Sequence, residues 1–176
     1  VHAAINTFSG GNNTRIGPSG MLYRDDSRRD WATKLLTSTG EIESTLDQST
    51  TGAKFFNPVN EEVQNYILSM LEDLAAYEGL DGIFLDRGRF DGLDSDFSDL
   101  TRRKFEEYLG QNVQNFPEDI LTPDMLEGTL PSELPIHFKK WLEFRAKVIH
   151  DFMGAARKRV KGVNPEIKFG VYVGAW

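Results

Sequence analysis

The alternation of short apolar segments with longer amphipathic ones most constrains the fold of this chain. Residues 1–8, 80–86 and 167–173 are apolar and have the length of strands, whereas the segments between them carry helical periodicity. Apolar strands joined by helices are typical of βα units, whose parallel strands are buried on both faces. The sequence therefore predicts an α/β fold with a parallel sheet. The clearest helix has apolar residues at Val63, Tyr66, Ile67, Met70, Leu71 and Leu74.

The number of these units indicates part of a closed barrel. The pattern gives about three βα units with long loops after the strands, whereas a complete (β/α)8 TIM barrel takes around 250 residues. The chain has 176 residues and starts and stops on a predicted strand. We therefore expect residues 1–176 to form one partial TIM-barrel domain, an excerpt of a longer chain.

Capping residues and helical periodicity place two further helices. Ser98 or Asp99 can cap a helix that Gly110 ends, and the longest helix is predicted over residues 136–161. Residues 9–51 are rich in Gly, Ser, Thr and charged residues and show only weak periodicity. We expect this stretch to be a long loop, which in a compact domain is either functional or irregular.

Charge and hydropathy exclude several kinds of partner. The net charge of −7 and the pI of about 5.0 argue against a nucleic acid bound through its phosphates, so a neutral substrate fits better. No apolar run approaches the roughly 20 residues that a membrane-spanning helix needs. The chain has no cysteine, which excludes disulfides, thiolate nucleophiles and Cys-ligated zinc. The composition leaves the compartment open, and a periplasmic or secreted location is the one we favour.

Asp86 is the strongest catalytic candidate. It directly follows an apolar strand, and the carboxyl ends of parallel strands hold the sites of such folds. Arg87 and Arg89 flank it, and an ion pair with either would keep Asp86 ionised, which suits a nucleophile. The alternatives are that Asp86 only stiffens a turn and that the arginines only neutralise an acidic loop.

The loop from Asp91 to Asp99 is acidic and admits two functional interpretations. Its four aspartates suggest a calcium site or a second carboxylate for acid/base chemistry, although their spacing misses the EF-hand pattern. A solvated acidic loop is the third alternative. Asp91 lies nearest the strand end and is the best of the four for a substrate contact. We expect no cofactor, with calcium at this loop as the alternative.

Several other residues near predicted strand ends have side chains suited to sugars. Asn6 and Asn57 can hydrogen-bond sugar hydroxyls, although Asn57-Pro58 is also an ordinary turn and helix-entry signal. Trp176 offers an aromatic face for stacking on a pyranose ring. His2 lies on a strand and can face the barrel interior, where it would contact substrate; the alternative is a buried structural histidine.

Four sequence segments carry a resemblance to a known family. They are Val1-His-Ala-Ala-Ile-Asn, Phe56-Asn-Pro before a helix that begins Glu-Glu-Val, Leu80-Asp-Gly-Ile-Phe-Leu-Asp-Arg-Gly-Arg-Phe, and Arg103-Lys-Phe-Glu. The pattern resembles the glycoside-hydrolase-like (β/α)8 barrels related to the α-amylase superfamily, and the resemblance extends over most of the chain. The resemblance implies that the segments are roughly strands three to five and that Asp86, ending the fourth strand, is the nucleophile.

The chain departs from the α-amylase pattern in two places. Phe84 stands where those enzymes have an arginine two residues before the nucleophile, and Gly174-Ala-Trp176 stands where their fifth strand carries the glutamic acid. The partner acid is therefore unassigned, and Asp91 is one source for it.

These observations define one leading hypothesis and two alternatives. The leading hypothesis is a glycoside hydrolase that acts on a carbohydrate through two carboxylates, with Asp86 as nucleophile or base. The first alternative is a barrel that binds carbohydrate without cleaving it, because function lies in the site and not in the fold. The second is a metal-dependent or calcium-stabilised module that uses the Asp91–Asp99 loop.

Overall fold

The three predicted strands and the three predicted helices are all present in residues 1–173, the part of the chain that the structure, a computed structural model, describes. Trp176, the predicted stacking residue, lies outside the described residues. In chain order the elements are β1 (His2–Asn6), β2 (Ser9–Thr14), β3 (Gly17–Gly20), α1 (Met21–Arg24), a 3-10 helix (Asp26–Trp31), β4 (Lys34–Leu36), β5 (Ile42–Ser44), β6 (Gly52–Phe55), α2 (Glu61–Ala75), β7 (Gly82–Asp86), α3 (Asp99–Leu109), α4 (Pro123–Leu126), α5 (Phe138–Val163) and β8 (Lys168–Val171).

A parallel sheet with the strand order β1-β7-β8 organises the fold. β7 is central, and it pairs in parallel with β1 on one side and β8 on the other. The predicted α/β fold with a parallel sheet is confirmed. Within residues 1–173 the sheets are small and unclosed, so the structure shows a mixed α/β arrangement and not a complete barrel.

One face of the parallel sheet is covered by α2 and α5. Ile83 and Leu85 on β7 are completely buried against these helices. Burying an aliphatic or aromatic side chain of this size contributes about 1.5–3 kcal/mol to stability. The helical periodicity seen in the sequence is therefore the core-facing side of each helix. The helix residues of this core include Val63, Ile67 and Leu71 on α2 and Phe152, Ala156 and Val160 on α5.

The opposite face of the sheet is exposed and carries aromatic rings that lie over glycines. His2 on β1 and Phe84 on β7 have ring centroids 5.4 Å apart. A Cβ atom added to Gly82 would collide with the His2 ring, and one added to Gly170 would come within 2.7 Å of the Phe84 ring. Each glycine is therefore required by the ring of the neighbouring strand.

Residues 9–51, predicted to be a loop, contribute to two further sheets. In one, β2 pairs antiparallel with β3 and β6; in the other, β4 pairs antiparallel with β5. These strands could not be predicted from the sequence because Gly and Asn are rare in strands. In the structure, hydrogen bonding to neighbouring strands outweighs that low intrinsic preference. Gly20 has φ 98°, and a Cβ atom there would lie 2.6 Å from Gly11 Cα, so this hairpin needs glycine.

The predicted cap of α3 is confirmed. Ser98 is the N-cap and accepts a hydrogen bond from the Thr101 N–H, and Gly110 ends the helix in the left-handed conformation, φ 72°. A second core surrounds this helix and is mainly aromatic. Trp141 on α5 and Phe105 on α3 are both fully buried in it, with ring centroids 4.9 Å apart.

The edges of the parallel sheet generate a prediction about folding. In the described part of the chain, β1 and β8 each pair on one side only and present unpaired backbone groups. We expect residues 1–176 expressed alone to aggregate or fold only partly, as measured by size-exclusion chromatography and urea unfolding. A soluble monomer with one cooperative unfolding transition would contradict this.

Candidate functional site

Asp86 ends the central strand of the parallel sheet, half-buried, at the edge where parallel sheets hold their sites. Asn6, the last residue of β1, lies directly opposite it in the strand register. A cavity of about 390 Å³ opens beside Asp86. Its lining also includes Arg87, Gly88, Arg89, Val171, Tyr172 and Val173. The chain therefore places a carboxylate where a small ligand can reach it.

The backbone just after Asp86 is strained. Arg87 has φ 51°, in the left-handed region that non-glycine residues seldom occupy, and its N–H donates to Asp86 Oδ1 at 2.7 Å. Residues following β1 hold this turn, because the Thr7 N–H donates to Asp86 O at 2.8 Å and the Phe8 N–H to Arg87 O at 3.4 Å. Such strain costs about 1–3 kcal/mol and is concentrated at functional sites.

The predicted ion pair between Asp86 and a neighbouring arginine is not formed. No lysine or arginine of residues 1–173 lies within salt-bridge distance of the Asp86 carboxylate. Arg89 instead donates to Phe90 O at 2.8 Å and to Asp91 O, and its guanidinium lies 5.1 Å from the Phe55 ring centroid. Arg89 therefore lines the cavity, but its guanidinium is hydrogen-bonded to its own loop and not to Asp86.

Two arginines hold the acidic loop through four consecutive carbonyl oxygens. Arg89 takes the oxygens of residues 90 and 91, and Arg145 of α5 donates to Gly92 O and, at 3.5 Å, to Leu93 O. The Arg145 guanidinium also lies 4.5 Å from the Phe90 ring centroid. Burial lowers the pKa of Arg145 to about 10, so it remains a cation at neutral pH. We call this arrangement the arginine clamp.

Asp96, near the end of the same loop, is completely buried and fully hydrogen-bonded. Its carboxylate accepts from the Lys34 N–H at 2.6 Å, the Asn57 amide at 2.8 Å and the Thr101 hydroxyl at 2.6 Å, and also from Ser98. Burial raises the pKa of Asp96, and the hydrogen bonds from Ser98 and Thr101 oppose that rise. A carboxylate satisfied by this many donors has a structural role.

Asn57, predicted to bind sugar hydroxyls, does not lie at the exposed sheet end. It is 2% exposed, and besides Asp96 its amide donates to Ser98 Oγ at 3.2 Å and Thr101 Oγ1 at 3.0 Å. Its carbonyl oxygen accepts from the Val59 N–H at 2.9 Å. The side chain is therefore engaged in a buried hydrogen-bond network, and the sugar contact stays a prediction for this residue.

The other predicted site residues are spread along the sheet. Asn6 is exposed beside Asp86, whereas His2 lies at the opposite end of β1, about 13 Å away along the strand at the usual rise per residue. His2 does lie on the exposed face of the sheet, next to Phe84. The structure therefore brings Asn6, Arg89 and Asp86 to one end and leaves His2 at the other.

Lys54 influences Asp91 electrostatically, although the two side chains are not within salt-bridge distance. Burial raises the pKa of Asp91, the Asp94 carboxylate adds to the rise, and Arg89 and Lys54 oppose it. Lys54 on β6 is 2% exposed, and its ammonium donates to Gln48 O at 3.3 Å and Thr50 Oγ1 at 3.2 Å. The sequence signal for Lys54 was a lysine directly before two phenylalanines in a buried strand.

The acidic loop shows no set of metal ligands in the described chain. Within residues 1–173 no three His, Cys, Asp or Glu side chains gather where a metal ion could bind. The predicted calcium site stays a prediction. In the same residues, no helix combines the length and apolar character needed to cross a bilayer.

Comparison with known proteins identifies the family. The sequence model described as glycosyl hydrolase-like 10 matches residues 26–176, which is most of the chain. The chain belongs to the glycosyl hydrolase-like 10 family. The resemblance to glycoside-hydrolase-like proteins that the sequence suggested is confirmed, while its relation to the α-amylase superfamily stays a prediction.

Two known proteins are similar to this chain, one in sequence and one in structure. An S-layer-related protein from Niallia circulans is 33% identical over 186 residues, and this chain spans 11% of its length. The PgaB (BpsB) glycoside hydrolase domain from Bordetella bronchiseptica has a similar structure, with a TM-score of 0.55 at 15% identity over 81% of this chain and 36% of that one. At this identity the structural match shows the fold alone.

The Asn57–Asp96 network leads to a prediction about stability. We expect Asn57→Ala to lower the free energy of unfolding by about 2–4 kcal/mol, because it leaves Asp96 and two hydroxyls short of a buried partner. Asn60→Ala is the control, since it removes only the N-cap bonds of α2 and should cost about 1 kcal/mol. The measurement is urea unfolding of the full-length protein that contains this chain, and equal losses for the two variants would contradict this.

The arginine clamp predicts local order in the acidic loop. We expect Arg145→Met to speed hydrogen exchange of the amides of residues 90–94, because carbonyl oxygens there lose their charged donor. Lys147→Met is the control, because Lys147 is exposed on the same helix and pairs with Asp151 at 2.6 Å. Unchanged exchange in Arg145→Met would show that the loop is held by other contacts.

Proposed function

We propose that this member of the glycosyl hydrolase-like 10 family is a glycoside hydrolase, with Asp86 as its nucleophile or general base. The observation that carries the proposal is the position of Asp86 at the carboxyl end of the central parallel strand, beside a cavity and before a strained residue. A carboxylate at this place can attack an anomeric carbon or activate a water molecule. Family membership supports a carbohydrate as the substrate.

The proposal includes a (β/α)8 barrel of which this chain is one part. The unpaired outer edges of β1 and β8 in the described residues each offer a place for a further parallel strand. The fold similarity to 36% of a glycoside hydrolase domain supports the same arrangement. In such a barrel the exposed face with Asn6, His2 and Phe84 would be the interior, and Asp86 would lie at its catalytic end.

Asp91 is our candidate for the second carboxylate among the described residues. A general acid must hold its proton near the working pH, and burial raises the pKa of Asp91 in the required direction. Asp91 follows Asp86 by five residues on the loop that the arginine clamp holds. A separation of the carboxyl groups of about 5–5.5 Å in the whole barrel would fit a retaining enzyme, and about 6.5–9.5 Å an inverting one.

A barrel that binds carbohydrate without cleaving it is the second candidate function. The observation in its favour is the lining of the cavity, where Asp86 is the acidic member among arginine, glycine, valine and tyrosine residues. Such a lining can hold a sugar through hydrogen bonds and apolar contacts. The two candidates differ in whether a second carboxylate reaches the bond to be cleaved.

We also propose that the protein acts outside the cytoplasm, in the periplasm or after secretion. The similarity to a protein named as S-layer-related supports this location. Absence of cysteine is compatible with it but does not distinguish compartments.

The test is hydrolysis of a panel of glycans and aryl glycosides by the full-length protein that contains this chain. We expect Asp86→Asn to lower kcat/KM by about 10³-fold or more, because the variant keeps the shape of the side chain and removes its charge. Asp73→Asn is the control, since Asp73 is exposed on α2.

The outcomes separate the two candidates. Loss of activity in a folded Asp86→Asn variant, with full activity in Asp73→Asn, supports the hydrolase. Activity that survives the Asp86 substitution would move the catalytic role to another residue. Glycan binding without hydrolysis in the wild type would support the carbohydrate-binding protein.

A further inference from the structure

Tyr172 is an exposed aromatic residue beside Asp86 that the sequence analysis passed over. Its side chain is 70% exposed, and it lines the same cavity as Asp86. It follows β8 directly, and its N–H donates to Leu85 O at 2.9 Å, so the ladder between β7 and β8 continues to this point. Because ligand cavities are lined by aromatic side chains beside a few polar groups, the position of Tyr172 next to Asp86 makes it a candidate for a ligand contact.

The strand register places Tyr172 on the same face of the sheet as Asp86. Gly170 pairs with Phe84, and Val171 pairs with Leu85. Because side chains alternate along a strand, the residues two positions further on, Tyr172 and Asp86, share the face of that first pair. The close approach of the Phe84 ring to Gly170 shows that this face is the one with the aromatic rings. Neighbouring strands lie about 4.8 Å apart, which brings the two side chains within reach of one sugar ring.

We infer that Tyr172 is a specificity-determining residue, whose ring packs on the apolar face of the pyranose that Asp86 contacts. This inference rests on the proposed function, because it concerns the same site. A pyranose has C–H groups on its faces and hydroxyls at its rim, so an aromatic ring stacks on it without leaving polar groups buried and unpaired. The substrate class it fits is a pyranoside with one face free of axial hydroxyls.

Asp86 and Tyr172 have complementary roles in this arrangement. Asp86 supplies the charge at the anomeric carbon, and Tyr172 fixes the plane of the ring so that the carbon meets the carboxylate. Asn6, opposite Asp86 on β1, can then bond a rim hydroxyl. The three residues end three adjacent strands of one sheet, which gives the site a rigid base.

The experiment compares Tyr172→Leu, Tyr172→Phe and Tyr77→Leu in the full-length protein. Tyr77 is a matched control, because it is 72% exposed and lies just beyond α2. KM and kcat are measured for the best glycan of the panel, and binding of that glycan is measured by calorimetry in the Asp86→Asn background. Melting temperature is recorded for every variant.

We expect Tyr172→Leu to weaken glycan binding by about tenfold and Tyr172→Phe to stay within about threefold, since stacking and not the hydroxyl carries the contact. Tyr77→Leu should match the parent protein. Unchanged binding and KM in Tyr172→Leu would overturn the inference, as would a lower melting temperature with unchanged KM, which would show a packing role. If Tyr172→Leu does not fold, Tyr172→Trp decides, because it keeps an aromatic face and should bind within about threefold of the parent.

These results separate the inference from the proposed function. Full activity of Asp86→Asn would contradict the catalytic role of Asp86 while binding still reports on Tyr172. Hydrolysis that requires Asp86 and is indifferent to Tyr172→Leu would leave the hydrolase standing and refute the inference. A wild-type protein that neither binds nor cleaves any glycan would refute both.

Discussion

The buried carboxylate of Asp96 joins three segments that are distant in the sequence, and the loop above the parallel sheet depends on it. It accepts hydrogen bonds from the backbone of β4, from Asn57 before α2, and from the cap of α3. A buried carboxylate is stable only when donors surround it, so the positions of these segments depend on one another in the folded protein. The loop that starts at Asp86 therefore has both ends fixed, one by the sheet and the other by Asp96.

Between those two ends, the arginine clamp fixes the backbone conformation of the loop. Four carbonyl oxygens in sequence turn toward guanidinium groups, one from the loop and one from α5. Arg89 and Arg145 also place two positive charges beside a loop that is rich in aspartates. Arg89 belongs to the loop itself, and Arg145 reaches the loop from α5; both donate to backbone carbonyl oxygens of the loop. Asp91 lies inside this arrangement and takes its electrostatic environment from it.

The βα pattern could be predicted from the sequence because apolar periodicity reports directly on burial. The position of Asp86 could be predicted because it directly follows an apolar strand. Roles that depend on partners distant in the sequence could not be predicted. Asn57 resembled a turn residue because its neighbour is proline, and nothing local shows that its amide meets Asp96, 39 positions away. Likewise, nothing near Arg145 in the sequence shows that its guanidinium reaches carbonyl oxygens 52 and 53 positions earlier in the chain. Tyr172 escaped notice because exposure is a property of the fold and not of the apolar segment in which the residue stands.

The rings that lie over glycines have a mechanical consequence for the sheet. Gly170 touches the Phe84 ring, that ring contacts His2, and His2 covers Gly82, so a continuous row of contacts crosses from β8 to β1. The row runs beneath Asp86, in the layer that precedes it along β7. A methyl group at position 170 would come within 2.7 Å of the Phe84 ring, so that ring would have to shift against His2. The face of the sheet that Asp86 shares is therefore set by close contacts between the side chains of one strand and the backbone of the next.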